Sequence, residues 1–163
     1  MKVAFYRTRT LDGKGQVRLL NRLLSLWSDG QYTHVEAIVD EDLINGETIY
    51  RCVSSSPQEG LRIVRMPLDP NRWELVELPC LHAQDVKAWF ETRLGEGYNW
   101  LGFLNIPIRR FLGLRLTWTA AEAVAASLGL PKPWYYDVQD LHDFLVYQSL
   151  GTQFYGVTVK RTS

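Results

Sequence analysis

The sequence predicts one α+β domain in which a mainly antiparallel β-sheet packs against helices. Three observations lead to this fold class. The chain has 163 residues, of which 46% are hydrophobic, so it is long enough for one core and too short for two full domains. Runs typical of strands fill the first half, and patterns typical of helices follow them. No repeat, low-complexity tract or linker divides the chain, so the domain is expected to span residues 1–163.

Alternating or β-rich runs predict the strands, and turn residues separate them. Turn signals lie at Asp12 to Gly15, at Asn45-Gly46 and from Pro57 to Gly60. The predicted strands cover residues 2–7, 33–39, 47–54, 61–66, 73–78 and, near the C-terminus, 154–160. The first five of these runs are expected to form most of the sheet.

Helical periodicity predicts four helices. The first has one apolar face between the first two strands, formed by Val17, Leu20, Leu24 and Trp27. The second covers residues 83–94 and ends at Gly95, and the last lies within residues 137–150.

The third predicted helix has the clearest boundaries. Thr119 is suited to be its N-cap, and Glu122 stands three residues on as a capping-box partner. Gly129 ends the run. Ala120 is therefore expected at the first helical position, where free N–H groups and the helix dipole would lower the pKa of a thiol. A cysteine there would be a good nucleophile, whereas alanine has no reactive group.

The charge balance argues against two classes of partner. Lys plus Arg number 18, and Asp plus Glu also number 18, so no overall field attracts nucleic acid or an anionic membrane. Two cysteines without a CxxC pair or histidines at ligand spacing predict neither a disulfide framework nor a zinc site. No apolar stretch is long enough to predict a signal peptide or a transmembrane span.

The predicted strand YTHVEAIV carries the first candidate for chemistry. Alternation places His34, Glu36 and Ile38 on one face of the strand and its intervening apolar residues on the other. An imidazole can act as a general base, and a carboxylate two residues on could orient it. The alternative is a half-exposed strand whose polar residues only face water.

Four segments together resemble a known family: YTHVEAIV, then YRCVSSSPQEGLRIVRMPLDPNRWELVEL, then GEGYNWLGFL, then WTAAEAVAASLGL. They are similar to the permuted papain-like cysteine hydrolases, the NlpC-type superfamily that includes YiiX-like peptidases and the lecithin retinol acyltransferase group. The resemblance is greatest to small members encoded by phages and prophages, and it covers the chain from about Tyr6 to Leu130.

The resemblance implies a permuted papain-like fold and a thiol hydrolase that cleaves an amide in a peptide, a protein or a peptidoglycan cross-link, without a cofactor. His34 matches the catalytic base, Ala120 stands where the nucleophilic cysteine is expected, and Glu36 is the expected third polar residue. The imidazole is expected to face the first turn of the third helix. Oxyanion or substrate-binding roles are implied for Tyr98, Thr119, Ala121 and Glu122. A core tyrosine is an equal alternative for Tyr98, and capping is the favoured role of Glu122.

Two explanations fit the alanine at position 120. We expect it to replace a cysteine of the natural protein, because only one side chain is shortened while the helix cap and the histidine remain. The alternative is a natural pseudoenzyme that only binds, such as a phage component or an inhibitor of a host protein. As written, the chain is expected to bind its substrate but not to turn it over.

A lipid thioesterase or acyltransferase on the same scaffold is a further alternative. The segment NIPIRRFLGLRL places Arg109, Arg110 and Phe111 together, which could contact lipid or a protein partner; a connector packed on the core is the ordinary interpretation. The resemblance to phage proteins implies the cytoplasm of the producing cell, the virion or the host cytoplasm as the location.

The remaining candidates have ordinary structural interpretations. Cys52 is expected to be a buried structural cysteine, because nothing near it would activate its thiol. Cys80, close to His82 in sequence, has a small chance of being reactive. His142 is expected to be packed or solvent-facing in the last helix, without a partner at a useful spacing.

Overall fold

The computed structural model describes residues 1–7, 31–79, 81–98 and 117–154. Within these residues, all five strands predicted for the first half of the chain are present. Their bounds are Lys2–Arg7 (β1), Tyr32–Ile44 (β2), Glu47–Ser56 (β3), Gly60–Met66 (β4) and Trp73–Glu77 (β5). The helices are Ala83–Glu91 (α1), Ala120–Ser127 (α2) and Val138–Phe154 (α3), with a short 3-10 turn at Pro133–Tyr135.

The five strands form one sheet in the order β4-β3-β2-β1-β5, and every neighbouring pair is antiparallel. The predicted α+β class with an antiparallel sheet is therefore confirmed. The hairpin between β2 and β3 turns at Asn45 and Gly46, which both have positive φ (52° and 83°). Asn and Gly adopt these angles more readily than other residues, and this explains the turn signal in the sequence.

The two faces of the sheet are covered differently. One face packs against the helices in the main core, which includes Val35, Ala37 and Val39 of β2. The other face carries a smaller apolar cluster formed by Ala4, Ile38, Cys52 and Leu68. The predicted alternation of β2 residues between the two faces is thus confirmed.

A bulge near the start of β2 decides which face the first residues of this strand occupy. Tyr6 pairs with His34, but Arg7 pairs with Tyr32, so Thr33 is an extra residue in the register. Tyr32 consequently joins the main core on the helix side, whereas His34 faces the opposite side of the sheet. Without the bulge, both side chains would share one face.

Helix α2 begins as the sequence predicts. Thr119 is its N-cap, with extended backbone angles, and the capping box with Glu122 forms in both directions. Residues 120 to 125 are all buried, because this short helix packs against the central strands of the sheet. Gly129 follows the helix with a φ of 72°, which glycine adopts without strain.

Several predictions fall partly or wholly outside the described residues. These are the helix around Val17 to Trp27, Cys80, the segment with Arg109, Arg110 and Phe111, and residues 155–160 of the last predicted strand. Phe154, predicted to begin that strand, is instead the last residue of α3. None of the helices formed by the described residues has the length and apolar character needed to cross a membrane.

Candidate functional site

Two of the predicted site residues meet on the sheet face that points away from the helices. His34 Nε2 lies 2.9 Å from Glu36 Oε1. Arg62, from β4, donates a hydrogen bond from Nη2 to the same oxygen over 2.6 Å. The predicted pairing of His34 with Glu36 is therefore present, and Arg62 is a third member that the sequence analysis did not identify.

Glu36 is the centre of this group and is fully buried. The prediction that the polar residues of β2 merely face water is wrong for this side chain. His34 and Arg62 are more open, with 27% and 20% of their side chains exposed. A fully buried carboxylate requires such partners, because burial without them is costly.

The group contains two buried polar atoms without a hydrogen-bond partner: Oε2 of Glu36 and Nε of Arg62. One is an acceptor and the other is a donor. Both donors to Glu36 use the same oxygen, Oε1, so its second oxygen is left over. Buried polar groups are nearly always satisfied, and such exceptions are informative in native proteins.

Aromatic side chains flank the imidazole. Trp73, from β5, lies edge-on to His34 with ring centroids 6.3 Å apart. Tyr6 packs against the same indole with ring centroids 5.1 Å apart. The tryptophan ring therefore connects the edge strand of the sheet to the polar group on β2.

Cys52 is the buried structural cysteine that was predicted. It is fully buried in the smaller apolar cluster on the same face as Glu36. Burial, reinforced by the negative charge of Glu36 and opposed by Arg62, raises the pKa of the Cys52 thiol to about 12. This thiol is neutral near pH 7 and is not an activated nucleophile.

The structure does not bring Ala120 and His34 together, contrary to the expectation that the imidazole faces the first turn of α2. Ala120 is 6% exposed and belongs to the main core on the helix side of the sheet. His34 packs on Trp73 on the other side. The alternation of β2 is the physical reason, because Val35 and Ala37 point to the helices and their neighbour His34 therefore points the other way.

The other residues implied for an oxyanion or substrate site have structural roles. Thr119 and Glu122 satisfy each other's backbone N–H groups in the capping box, with bonds of 3.3 Å and 3.0 Å. Ala121 is buried in the core. Tyr98 is half-buried and pairs by a parallel bridge with Trp118, just before α2.

A second polar group lies on the helix side of the sheet, and the sequence analysis missed it. His142 of α3 was expected to lack a partner, which is wrong: its Nε2 lies 3.2 Å from Glu74 Oε1, and its Nδ1 lies 2.9 Å from Asp143 Oδ1. Glu74 Oε2 also accepts hydrogen bonds from Tyr32 over 2.5 Å and from Arg7 over 2.6 Å.

The electrostatics of this second group follow from these contacts. Burial of the Glu74 carboxyl acts to raise its pKa, but hydrogen bonds from Tyr32, Arg7 and His142 prevail and lower the pKa to about 2. Burial and the neighbouring Glu74 raise the pKa of Tyr32. The group therefore holds an ionised Glu74 and a neutral Tyr32 near pH 7. No local sequence signal could have found it, because Glu74 and His142 are 68 residues apart.

Among the described residues, no cluster of three or more His, Cys, Asp or Glu side chains is arranged to hold a metal ion. The two polar groups offer hydrogen-bond donors and acceptors around Glu36 and Glu74.

Comparison with known proteins does not assign the chain to a family. No model of a protein family matches the sequence. A search of the curated proteins likewise finds no significant match.

Proposed function

We propose that this protein binds an amide-bearing ligand, a peptide or a fragment of peptidoglycan, without cleaving it. The proposed site is the sheet face that carries His34, Glu36 and Arg62, and the proposed scaffold is a permuted papain-like one. The observation that carries the proposal is the unpartnered acceptor and donor of the buried Glu36–Arg62 pair.

An amide group complements these two atoms. Its N–H can donate to Glu36 Oε2, and its carbonyl can accept from Arg62 Nε. A purely cationic ligand would satisfy only the carboxylate, and a purely anionic ligand only the guanidinium. His34 and Arg62 are partly exposed beside this buried pair, so a ligand on this face would meet these two side chains first.

The absence of cleavage follows from the nucleophile position. Ala120 has no reactive group, and its side chain is packed in the core on the other side of the sheet from His34. Cys52 is on the correct face but is fully buried, with its pKa raised to about 12. Neither residue supplies a thiolate to this site.

The test uses N-acetylmuramyl-L-alanyl-D-isoglutamine, a soluble peptidoglycan fragment with several amide groups, and calorimetry at neutral pH. Replacing Arg62 by lysine keeps a positive charge for Glu36 but removes the Nε donor, so we expect affinity to fall about tenfold. His34→Ala is expected to weaken binding to a similar degree.

Arg65→Lys is the matched control, because Arg65 lies on the same strand, is 52% exposed and pairs with Asp42 instead. Glucose, which has no amide, is the control ligand. Equal affinities of Arg62→Lys and Arg65→Lys, or no measurable binding of the fragment, would contradict the proposal.

A cysteine hydrolase remains the second candidate, and one observation favours it. The capping box at Thr119 and Glu122 forms completely, so residue 120 occupies the first helical position that an activated thiol requires. In this alternative the natural protein has cysteine at position 120, and the chain as written is an inactive form.

The variant Ala120→Cys separates the two functions through its rate of alkylation by iodoacetamide at neutral pH. If the protein is a hydrolase, the cysteine introduced at position 120 should be alkylated much faster than Cys52. Adding His34→Ala should then clearly slow the alkylation of the introduced cysteine. The binding proposal predicts that His34→Ala leaves the rate unchanged, because the two side chains lie on opposite faces of the sheet.

A further inference from the structure

Helix α3 is attached to the sheet by a histidine that lies between two carboxylates. Its ring stacks on Tyr32 with ring centroids 4.2 Å apart and meets Phe5 edge-on at 5.0 Å. Each of its two nitrogens faces a carboxylate oxygen: Glu74 on the sheet at 3.2 Å, and Asp143 on the helix at 2.9 Å. The side chain of His142 is only 11% exposed, so the ring itself is largely shielded from water.

The number of protons on the ring decides whether both contacts are favourable. A neutral imidazole has one N–H and one lone pair, so it can donate to only one of the two carboxylates. Its other nitrogen then places a lone pair against a carboxylate oxygen. An imidazolium has an N–H on each nitrogen and can donate to both oxygens, with charge-assisted hydrogen bonds.

The groups around the ring favour an ionised Glu74. Arg7 of β1 and Tyr32 of β2 both donate to its Oε2, which leaves Oε1 for the histidine. On the helix, Gln139 donates to the same Asp143 oxygen that faces the ring. Arg7, Tyr32 and Gln139 thus surround the two carboxylates that face the ring.

We propose that protonation of His142 fastens α3 to the sheet, so that the helix docks most firmly in mildly acidic solution and loosens as the pH rises. The helix docks more firmly at low pH because the ring can donate its second hydrogen bond only in the imidazolium form. These contacts lie on the helix side of the sheet, so the proposal does not depend on the proposed ligand site at His34, Glu36 and Arg62.

Hydrogen exchange of the α3 backbone tests this proposal. Exchange is measured at about pH 5.5 and about pH 8 on the whole protein and corrected for the intrinsic pH dependence of amide exchange. We expect protection of the amides around His142 to fall about threefold to tenfold at the higher pH, relative to amides in the central strands.

Asp143→Asn is the decisive variant. Asp143 is 65% exposed, so the replacement is not expected to disturb folding. The asparagine amide can donate to Nδ1 of a neutral ring, whose Nε2–H remains for Glu74, so the second proton is no longer needed. In this variant the difference in α3 protection between the two pH values should largely disappear. The same result is expected for His142→Gln.

His82→Gln is the control for a histidine outside this group, since His82 is exposed at the start of α1. It should retain the wild-type pH dependence of α3 protection. The proposal is overturned if wild-type α3 is equally protected at both pH values, if its protection rises with pH, or if Asp143→Asn behaves as the wild type does.

Discussion

The two faces of the sheet each carry a polar group around one glutamate, and the two groups differ in how completely they are satisfied. Glu36 receives both of its hydrogen bonds on one oxygen and leaves the other oxygen buried without a partner. Glu74 uses both oxygens, with Tyr32 and Arg7 on one and His142 on the other. The first arrangement leaves one buried acceptor unused, whereas the second uses both oxygens to join elements of the fold.

The connections of the two groups agree with this difference. The Glu36 group involves β2 and β4 and is flanked by Trp73 of β5, all within the sheet. The Glu74 group joins β1, β2 and β5 to α3. A contact between layers stabilises tertiary structure directly, while a surplus donor and acceptor within one layer give no such benefit.

The largest expected effect concerns the burial of Glu36. Arg62→Met removes the charged partner of a fully buried carboxylate, and we expect the free energy of unfolding to fall by about 3–5 kcal/mol. Urea unfolding at neutral pH measures this change. Arg65→Met, which breaks an exposed pair with Asp42 on the same strand, should cost no more than about 0.5 kcal/mol. Similar losses in the two variants would mean that Glu36 does not depend on Arg62.

The second prediction concerns acid. Since the pKa of Glu74 lies at about 2, below its ordinary value of 4.5, its carboxylate contributes stability that is present above about pH 4.5. That stability is lost as the pH falls towards 2. With 30% of the side chain exposed, solvent screening reduces the contribution to about 1–2 kcal/mol.

Glu74→Gln tests this through urea unfolding between about pH 2.5 and about pH 6. The wild type should be more stable than the variant at the higher pH, and the difference should shrink steadily in acid. Glu77→Gln, an exposed glutamate of the same strand, is the control and should show no such trend. A difference that is constant with pH would contradict the assignment of the stability to an ionised Glu74.

Local patterns in the sequence were enough to predict most of the fold. Period-two alternation predicted the five strands and the two faces of β2, and the spacing of Thr119 and Glu122 predicted the capping box of α2. These features depend on neighbours a few residues apart, so the sequence alone contains the necessary information.

Features that depend on register could not be predicted in the same way. The bulge at Thr33 has no sequence signature, yet it moves Tyr32 to the helix side of the sheet, where this residue meets Glu74. Arg62 meets Glu36 only because β2, β3 and β4 pair in a particular register. His142 and Glu74 meet only once α3 has docked on the sheet. Such contacts become visible only when the tertiary arrangement is known.

The smallest expected effect separates ligand binding from stability on the Glu36 face. His34 is at the rim of its group, with 27% of its side chain exposed, and Arg62 still balances the charge of Glu36 when the imidazole is removed. His34→Ala should therefore lower the free energy of unfolding by only about 0.5–1 kcal/mol, the usual contribution of one hydrogen bond. Thermal unfolding at neutral pH measures this, with His82→Ala as the control. A loss as large as that of Arg62→Met would make the imidazole part of the structural support of Glu36, and its exposed edge would then no longer be a surface available for a ligand.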